Sequence, residues 1–174
     1  MSEQTLADTL TLNFTSPSGH HIDMTAADLV QMRVPEGEVL TGFKGQLCAQ
    51  LDAHAERLRL GIITPGAGQA LEYQEAQVQA AAALKAASSA TAEKYPMLAA
   101  TVGIDIDPET GKPATDVLGV ARSVQAARGV WVKMGPAIRT ARRKAKAQIR
   151  AAASLEDAEH AYLAVCWPEQ SAAD

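Results

Sequence analysis

The sequence predicts a mainly α-helical fold, an Ala-rich helical bundle with a small N-terminal β-hairpin. Alanine accounts for 35 of the 174 residues and aromatic residues for only 4%, a composition that favours closely packed helices over a sheet built on Val, Ile, Tyr and Phe. From residue 44 onward, apolar residues recur at helical steps of three and four. Alternation of apolar and polar residues, which is typical of strands, is confined to residues 8–24.

Residues 8–24 carry a β-hairpin pattern. The turn sequence Ser16-Pro17-Ser18-Gly19 separates two alternating stretches, whose apolar members are Leu10, Leu12, Phe14, Ile22 and Met24. A lone hairpin is only marginally stable in water. We therefore expect it either to pack on the helices of this chain or to add to a sheet in another subunit.

A connector follows the hairpin. Thr25 with Asp28 resembles an N-cap with an acid at the third helical position, which predicts a short helix, and Val34-Pro35-Glu36-Gly37 ends it. The predicted domain organisation is accordingly a docking segment over residues 1–42, made of hairpin and connector, and a helical bundle domain over residues 43–174.

Two helices are predicted between residues 44 and 92. The first presents an apolar face formed by Leu47, Leu51, Ala55, Leu58 and Ile62, and Gly61 and Pro65 end it. The second begins near Gln69 and carries apolar residues at Leu71, Val78, Ala81 and Leu84. Its Ala80-Ala81-Ala82-Ala83 run permits close approach of a neighbouring helix.

Shorter elements lie before and after the longest helix. Residues 97–103 predict a short buried helix ended by glycine, and residues 105–112 predict a polar loop. Ser154 with Asp157 resembles a second N-cap, which starts a terminal helix that Pro168 stops.

The longest predicted helix covers residues 115–153. Its apolar register, which suits either the core of a bundle or the seam of an oligomer, comprises Val117, Val120, Val124, Ala127, Trp131, Met134, Ile138, Ala141, Ala145, Gln148 and Ala152. Proline removes a backbone hydrogen bond within a helix. Gly135-Pro136 is therefore expected to kink this helix or split it in two.

Positive charge is concentrated in this long helix. Residues 115–153 hold nine of the 16 Lys and Arg residues and one of the 20 acidic residues. The cluster lies on the predicted outer face, and its candidate partner-binding residues are Arg139, Arg142, Arg143, Lys146 and Arg150. The acidic remainder of the chain is able to neutralise this helix, so we expect a solvated face or an acidic protein partner. Nucleic acid is the alternative partner.

One glycine-rich and one acidic stretch resemble ligand sites only in part. Gly66-Ala67-Gly68 lacks the Gly-Lys-Ser/Thr ending of a phosphate loop, so a tight turn between helices is the preferred interpretation. Asp105, Asp107 and Glu109 alternate as in a calcium loop. That loop requires glycine at its sixth position and glutamate at its twelfth, where this chain has Thr110 and Asp116.

The histidines and cysteines form no local catalytic pattern. His20 and His21 lie on opposite faces of the predicted strand, and Cys48 and His54 are six residues apart on a helix, hence on different faces. The sequence therefore predicts no catalytic, cofactor-binding or metal-ligating residue, and we do not expect an enzyme.

Composition also bounds the cellular setting. No run of about 18 apolar residues is present, and the first ten residues lack the basic start and apolar core of a secretory signal. Two distant cysteines form no disulfide framework. We expect reduced thiols, no membrane partner and a cytoplasmic origin.

Two stretches resemble a family of small proteins from tailed bacteriophages and prophages, often encoded near tail and tail-fibre genes. In that family an ITPGAGQAxxYQ turn and helix precede a YPxLAAxxGI segment and a helix pair with a central tryptophan. Here Ile62–Gln74, Tyr95–Ile104 and Trp131 match those features. The resemblance covers about residues 55–165 and excludes the hairpin, and the family carries no assigned activity to transfer.

The resemblance implies a structural or assembly protein of the tail, tail-fibre or baseplate region that acts by protein–protein interaction. Its partners would be other tail or fibre proteins, and it would reside in the virion or the host cytoplasm. We expect a homo-oligomer, and a trimer would suit a fibre-attached part. The alternative is a nucleic-acid-binding accessory protein that uses the basic helix over residues 139–150.

Overall fold

The computed structural model describes residues 5–63 and 66–169, and it confirms the predicted fold class. The chain is mainly α-helical with one small antiparallel hairpin near the N-terminus. It divides into two compact units. Unit 1 comprises Met1–Leu58 and Ala137–Asp174, and unit 2 comprises Arg59–Pro136.

These units divide the chain at positions other than the predicted 1–42 and 43–174. The expected boundary falls inside a helix that begins at Glu36, eight residues before the predicted start at residue 44. Pro35 directly precedes this helix, where its missing N–H costs nothing. Because the hairpin residue Leu12 shares a core with Phe43, the N-terminal segment and the following helix belong to one unit.

Unit 1 contains the hairpin, four complete or nearly complete helices and the end of a fifth. Their bounds are α1 Leu6–Thr9, β1 Leu12–Ser16, β2 Gly19–Met24, α2 Ala26–Gln31, α3 Glu36–Leu60 (to residue 58), the last part of α6 Val117–Ala151, and α7 Leu155–Leu163. The predicted hairpin is confirmed, with Phe14 opposite His21 and a bulge near Asp23, whose φ is +52°. The short α1 was not predicted.

Both predicted N-caps are present in unit 1. The Thr25 hydroxyl accepts the backbone N–H of Asp28 over 3.1 Å, while the Asp28 carboxylate accepts the backbone N–H of Thr25 over 3.0 Å. The Ser154 hydroxyl accepts the backbone N–H of Asp157 over 3.0 Å at the start of α7. Each cap satisfies donors that a helix N-terminus would otherwise leave without partners.

The core of unit 1 joins residues from β1, α2, α3, α6 and α7. It comprises Leu10, Leu12, Ala26, Leu29, Val39, Phe43, Leu47, Cys48, Leu51, Ala145, Ile149 and Ala158. One glycine allows the hairpin to reach α3, because a Cβ at Gly42 would lie 2.5 Å from the ring of Phe14. Hydrophobic burial by this set is the main stabilising contribution to the unit.

Unit 2 is built on α4 and the first part of α6. Its elements are α4 Ala67–Lys85, a 3₁₀ turn Ala87–Ser89, α5 Pro96–Ala99, β3 Ile106–Asp107, β4 Lys112–Pro113 and α6 from Val117 to residue 136. The second helix ends before the predicted residue 92. The predicted polar loop over 105–112 instead contains a short hairpin with strands of two residues each. Its turn includes Gly111 at φ +66°, whose N–H donates to the Asp107 carbonyl over 2.8 Å.

Small residues line the core of unit 2. It comprises Ala80, Ala83, Leu98, Ala114, Val117, Val120 and Ala121. By contrast, the large residues Leu71 and Val78 on α4 are 68% and 65% exposed. Alanine allows helices to approach more closely than leucine does, so the alanine face of α4 is the face that packs inward.

The long helix α6 is continuous from Val117 to Ala151 with Pro136 inside it, so the predicted split at Gly135-Pro136 does not occur. A side chain before proline clashes with the proline ring in helical conformation, and Gly135 has none. The predicted register is buried at only some of its positions. Val117, Val120, Ile138 and Ala145 are buried, whereas Ala127 and Gln148 are exposed.

Candidate interaction cleft

Unit 2 contains an open cleft of about 530 Å³ between α4 and α6. Each helix contributes one face, spaced by three and four residues. The α4 face is formed by Ala70, Tyr73, Gln74 and Gln77, and the α6 face by Ser123, Val124, Ala127, Arg128 and Trp131. Ile62, Ile63 and Asp105 complete the lining. We call this feature the unit 2 cleft.

The floor and one end of the unit 2 cleft are apolar. Val124 and Trp131 are half-buried on α6. The Trp131 ring lies over Gly135, where an added Cβ would stand 3.1 Å from two ring carbons. Because Gly135 has no side chain, the indole ring can pack against the helix backbone one turn further along α6. The predicted register suited either a bundle core or an oligomer seam, and in the structure its members Val124, Ala127 and Trp131 line an open groove.

Amide and charged groups supply the polar lining. Gln74 and Arg128 are exposed, while the Asp105 carboxylate accepts the Thr101 hydroxyl over 2.9 Å. The arrangement combines an apolar floor with a polar rim, which is the composition of protein-binding surfaces. Small-molecule sites enclose most of the ligand surface, whereas Ala70, Tyr73 and Gln74 leave this cleft open along α4.

Sequence reasoning did not find this cleft. The signal was present in the amphipathic pattern of α4, where Tyr73, Gln74 and Gln77 share a side that is neither fully apolar nor charged. Recognising it requires knowing that the alanine face, with Ala80 and Ala83, packs inward.

The predicted partner-binding residues on α6 do not form one free surface. Arg142 and Lys146 both turn toward Asp52 of α3, with nitrogen–oxygen distances of 2.5 and 2.6 Å. Burial works to raise the pKa of Asp52, but the hydrogen bonds from Arg142 and Lys146 outweigh it and hold that pKa below its usual value. Arg139, Arg143 and Arg150 remain exposed. The expectation that all five side chains lie on the outer face is therefore wrong for Arg142 and Lys146.

A lysine from α3 occupies the C-terminal end of the same helix. The Lys44 ammonium donates to the backbone carbonyls of Arg150, over 3.1 Å, and Ala152, over 2.5 Å. A cation there satisfies free carbonyls and complements the helix dipole. The basic helix is thus anchored within unit 1 by one acid along its length and one base at its end.

Two carboxylates of the acidic stretch over residues 105–109 pair with an arginine. Arg122 donates to both carboxylate oxygens of Asp107 and lies 3.3 Å from Glu109. Hydrogen bonds from Arg122, then from the Glu109 backbone, lower the pKa of Asp107 to about 2. Among residues 5–63 and 66–169, no three His, Cys, Asp or Glu side chains converge closely enough to hold a metal ion.

A polar cluster surrounds the buried His21 at the hairpin turn. Its Nε2 lies 3.1 Å from the Ser16 hydroxyl and 3.3 Å from the Ser18 hydroxyl, and Ser18 also donates to Glu38 over 2.5 Å. The hydroxyls of Ser16 and Ser18 lower the pKa of Glu38. In a catalytic triad the carboxylate orients the histidine. Here Glu38 instead bonds the serine, so the cluster ties the hairpin to α3.

The other predicted residues of interest lie in packing positions of unit 1. His54 stacks on Trp167, with ring centroids 4.7 Å apart, and its Nδ1 lies 3.2 Å from an Arg57 nitrogen. Cys48 is buried and Cys166 is exposed, and both are free thiols. Cys48 belongs to the hydrophobic core.

None of the helices in the described ranges combines the length and the hydropathy that a membrane crossing requires. Comparison with other proteins gives no match to a protein-family model, a curated protein or a solved structure.

Proposed function

We propose that this protein is a structural or assembly component of the tail, tail-fibre or baseplate region of a bacteriophage. It acts by protein–protein interaction, it is not an enzyme, and the unit 2 cleft is its binding surface. It works in the virion or, during assembly, in the host cytoplasm, with other tail or fibre proteins as partners.

The observation that carries this proposal is where the phage-like pattern falls in unit 2. Five residues of the first stretch line the cleft, together with the central tryptophan: Ile62, Ile63, Ala70, Tyr73, Gln74 and Trp131. The second stretch has another role, since its residues Tyr95, Leu98 and Val102 belong to the core of unit 2. One part of the pattern thus builds the unit, and the other part forms a surface open to a partner.

The character of the lining supports a protein partner over a substrate. The cleft is open along α4 and holds an aromatic anchor in Trp131. Its charged lining residues are Asp105, which is half-buried, and Arg128, which is exposed. Aromatic and arginine side chains are enriched where proteins bind one another. Catalysis requires a nucleophile or acid–base pair in the cleft, and the lining offers Ser123 without a histidine beside it.

Mass spectrometry of purified particles tests the setting. Presence of this chain in mature virions is expected for a structural component. Its absence there, combined with presence in complexes from infected cells, would identify the assembly form. Absence from both would reject the proposal.

Site-specific photocrosslinking tests the surface. A photoreactive amino acid replacing Gln77, which lines the cleft, should give adducts with a tail-region protein or with a copy of this chain. The same amino acid replacing Arg143, exposed on unit 1, is the matched control. Equal adduct patterns from the two positions would contradict a role for the cleft.

A second candidate function is nucleic-acid binding through α6, favoured by the exposure of Arg139, Arg143 and Arg150. Phosphate contacts make affinity fall steeply with salt. Gel-shift titration of the wild type and the Arg139→Ala/Arg143→Ala variant across salt concentrations tests it. Weak binding that is insensitive to both salt and these substitutions would reject it.

A further inference from the structure

We infer that α6 carries, in unit 1, a docking surface for an acidic helix of a partner protein. The surface is formed by Arg139, Arg143 and Arg150, which we call the arginine stripe. Because the stripe belongs to unit 1, this inference adds a second surface to the unit 2 cleft and does not depend on it.

The first observation is that the arginine stripe is aligned and exposed. At 3.6 residues per turn, its three side chains lie within about 40° of one another around the helix axis, and all three are exposed. Within residues 5–63 and 66–169, none of their guanidinium groups has an ion pair or a side-chain hydrogen bond. Like charges four residues apart on a helix repel each other, so Arg139 and Arg143 hold a repulsion that a carboxylate from a partner would relieve.

The second observation is a carboxylate contact with the same spacing on the same helix. Arg142 and Lys146, four residues apart, both pair with the Asp52 carboxylate, at 2.5 and 2.6 Å. Arg139 and Arg143 repeat this spacing about 60° around the axis. The exposed pair therefore has the spacing with which α6 already holds one carboxylate, and this charge complementarity indicates an acidic partner.

The distances along the arginine stripe select a helix as the form of the acidic segment. Arg139 and Arg143 are about 6 Å apart along the axis, and Arg143 and Arg150 about 10.5 Å. In a partner helix, acids separated by four and seven residues share one face at these distances. In a strand, 10.5 Å corresponds to about three residues, an odd number that turns the next side chain to the opposite face. A helix can therefore meet all three arginines, whereas a strand can meet only two.

The surroundings of the arginine stripe favour a short acidic segment over nucleic acid. Glu156 and Asp157 are exposed at the start of α7, six and seven residues after Arg150, so a long polyanion running along α6 would continue past these carboxylates. Unit 1 as a whole contains nine Lys and Arg residues and 13 Asp and Glu residues, a balance that repels an extended phosphate backbone. Residues 137–151 also contain no aromatic side chain on which bases could stack.

Binding of synthetic peptides to the full chain tests the inference. The probe is an alanine-based helical peptide with glutamates at positions i, i+4, i+7 and i+11, which match the arginine stripe in either orientation. The control peptide has the same composition, with its glutamates spread around the helix. Isothermal titration should give the matched peptide an affinity about tenfold higher than that of the control peptide, and added salt should weaken its binding.

Substitutions separate the arginine stripe from the overall charge of the helix. Arg139→Gln/Arg143→Gln keeps good helix formers and should weaken binding of the matched peptide about tenfold. Lys144→Gln is the matched control, since Lys144 is exposed on the same helix but lies about 100° or more around the axis from each stripe arginine. Its affinity for the peptide should change by less than about twofold. Circular dichroism checks folding, and Arg143→Gln alone replaces the double variant if that variant unfolds.

Three results would overturn the inference. The first is equal affinity for the two peptides, which includes no binding of either, and the second is an equal loss in the Lys144→Gln variant. The third is tighter binding of a short DNA duplex than of the matched peptide through the same arginines, which would favour the second candidate function instead. The proposed function is tested separately at Gln77 in unit 2. A photoreactive amino acid at position 143 should trap an acidic segment, so its adducts should differ from those at Gln77.

Discussion

Arg122 holds Asp107 in a two-pronged contact, with its Nε 2.9 Å from one carboxylate oxygen and its Nη2 2.5 Å from the other. The contact joins β3 to the second turn of α6 in unit 2. This close approach requires glycine at position 119, because a Cβ there would stand 2.8 Å from the Ala114 methyl and 3.1 Å from an Asp107 oxygen. Two parallel hydrogen bonds fix the relative orientation of an arginine and a carboxylate and add to their charge attraction.

Unit 2 is expected to lose stability in acid. The pKa of Asp107 is lowered from 3.8 to about 2 in the folded chain, so the ionised pair stabilises the folded state fully above pH 3.8. This contribution is lost as the pH falls from 3.8 to about 2. Trp131 fluorescence during denaturant titration, in a Trp167→Phe background, reports on unit 2. The Asp107→Asn variant is the control: it should be less stable at pH 7 and lose less stability between these pH values. Parallel losses in both chains would contradict the assignment.

Gly42→Ala is expected to destabilise unit 1 by about 1–3 kcal/mol, the usual cost of overpacking a core. The new methyl group would meet the Phe14 ring, which cannot withdraw without opening the hairpin from α3. The matched control is Gly45→Ala on the same helix, where a Cβ meets nothing within 4 Å. That variant should gain up to about 1 kcal/mol from helix propensity. Chemical denaturation of the two chains measures the contrast, and equal changes would contradict the packing argument.

Asp52→Ala is expected to lower the stability of unit 1 by roughly 1 kcal/mol, a value typical of partly exposed ion pairs. The substitution leaves Arg142 and Lys146 close together without their shared carboxylate. Added salt should reduce the difference from the wild type, because it screens the attraction that is lost. Arg143→Ala, at an exposed position on the same helix, should change stability by less than about 0.5 kcal/mol. A larger effect at Arg143 than at Asp52 would reverse our assignment of the inward face.

Gly135→Ala is expected to shift the emission of Trp131, because the added methyl group would press on the indole at 3.1 Å. The same change before Pro136 also strains the helix. Gly129→Ala serves as control, since its Cβ meets nothing within 4 Å. It should stabilise the helix by up to about 1 kcal/mol without altering the spectrum. Identical spectra for the two variants would show that Gly135 does not support the indole.

The features that were predicted correctly depend on residues near one another in the chain. Thr25 and Asp28 form their cap within three residues, and the hairpin turn lies between strands that pair directly. In such patterns, the interacting residues lie within the same short stretch of sequence. The fold class follows from them, because the helical periodicity, the two N-caps and the N-terminal hairpin are all encoded locally.

The features that were missed depend on partners far along the chain. Phe14 meets Gly42 across 28 positions, and Asp52 meets Arg142 across 90. The inward face of α4 could not be predicted either. Leu71 is more hydrophobic than Ala80, yet Ala80 is the buried one, because its small side chain allows the neighbouring helix to approach closely. The cleft follows from that selection, so it could not be located before the core was known.

The dipeptide Gly135-Pro136 lies at the junction of the two units, since residue 136 is the last of unit 2 and residue 137 the first of unit 1. Glycine is the favoured residue just after a helix, and proline is favoured in the first turn of one. If either unit melted, the surviving half of α6 would already have a suitable terminus at this point. The uninterrupted helix α6 thus contains a position at which it can end at low cost, so that the unfolding of one unit need not propagate along α6 into the other.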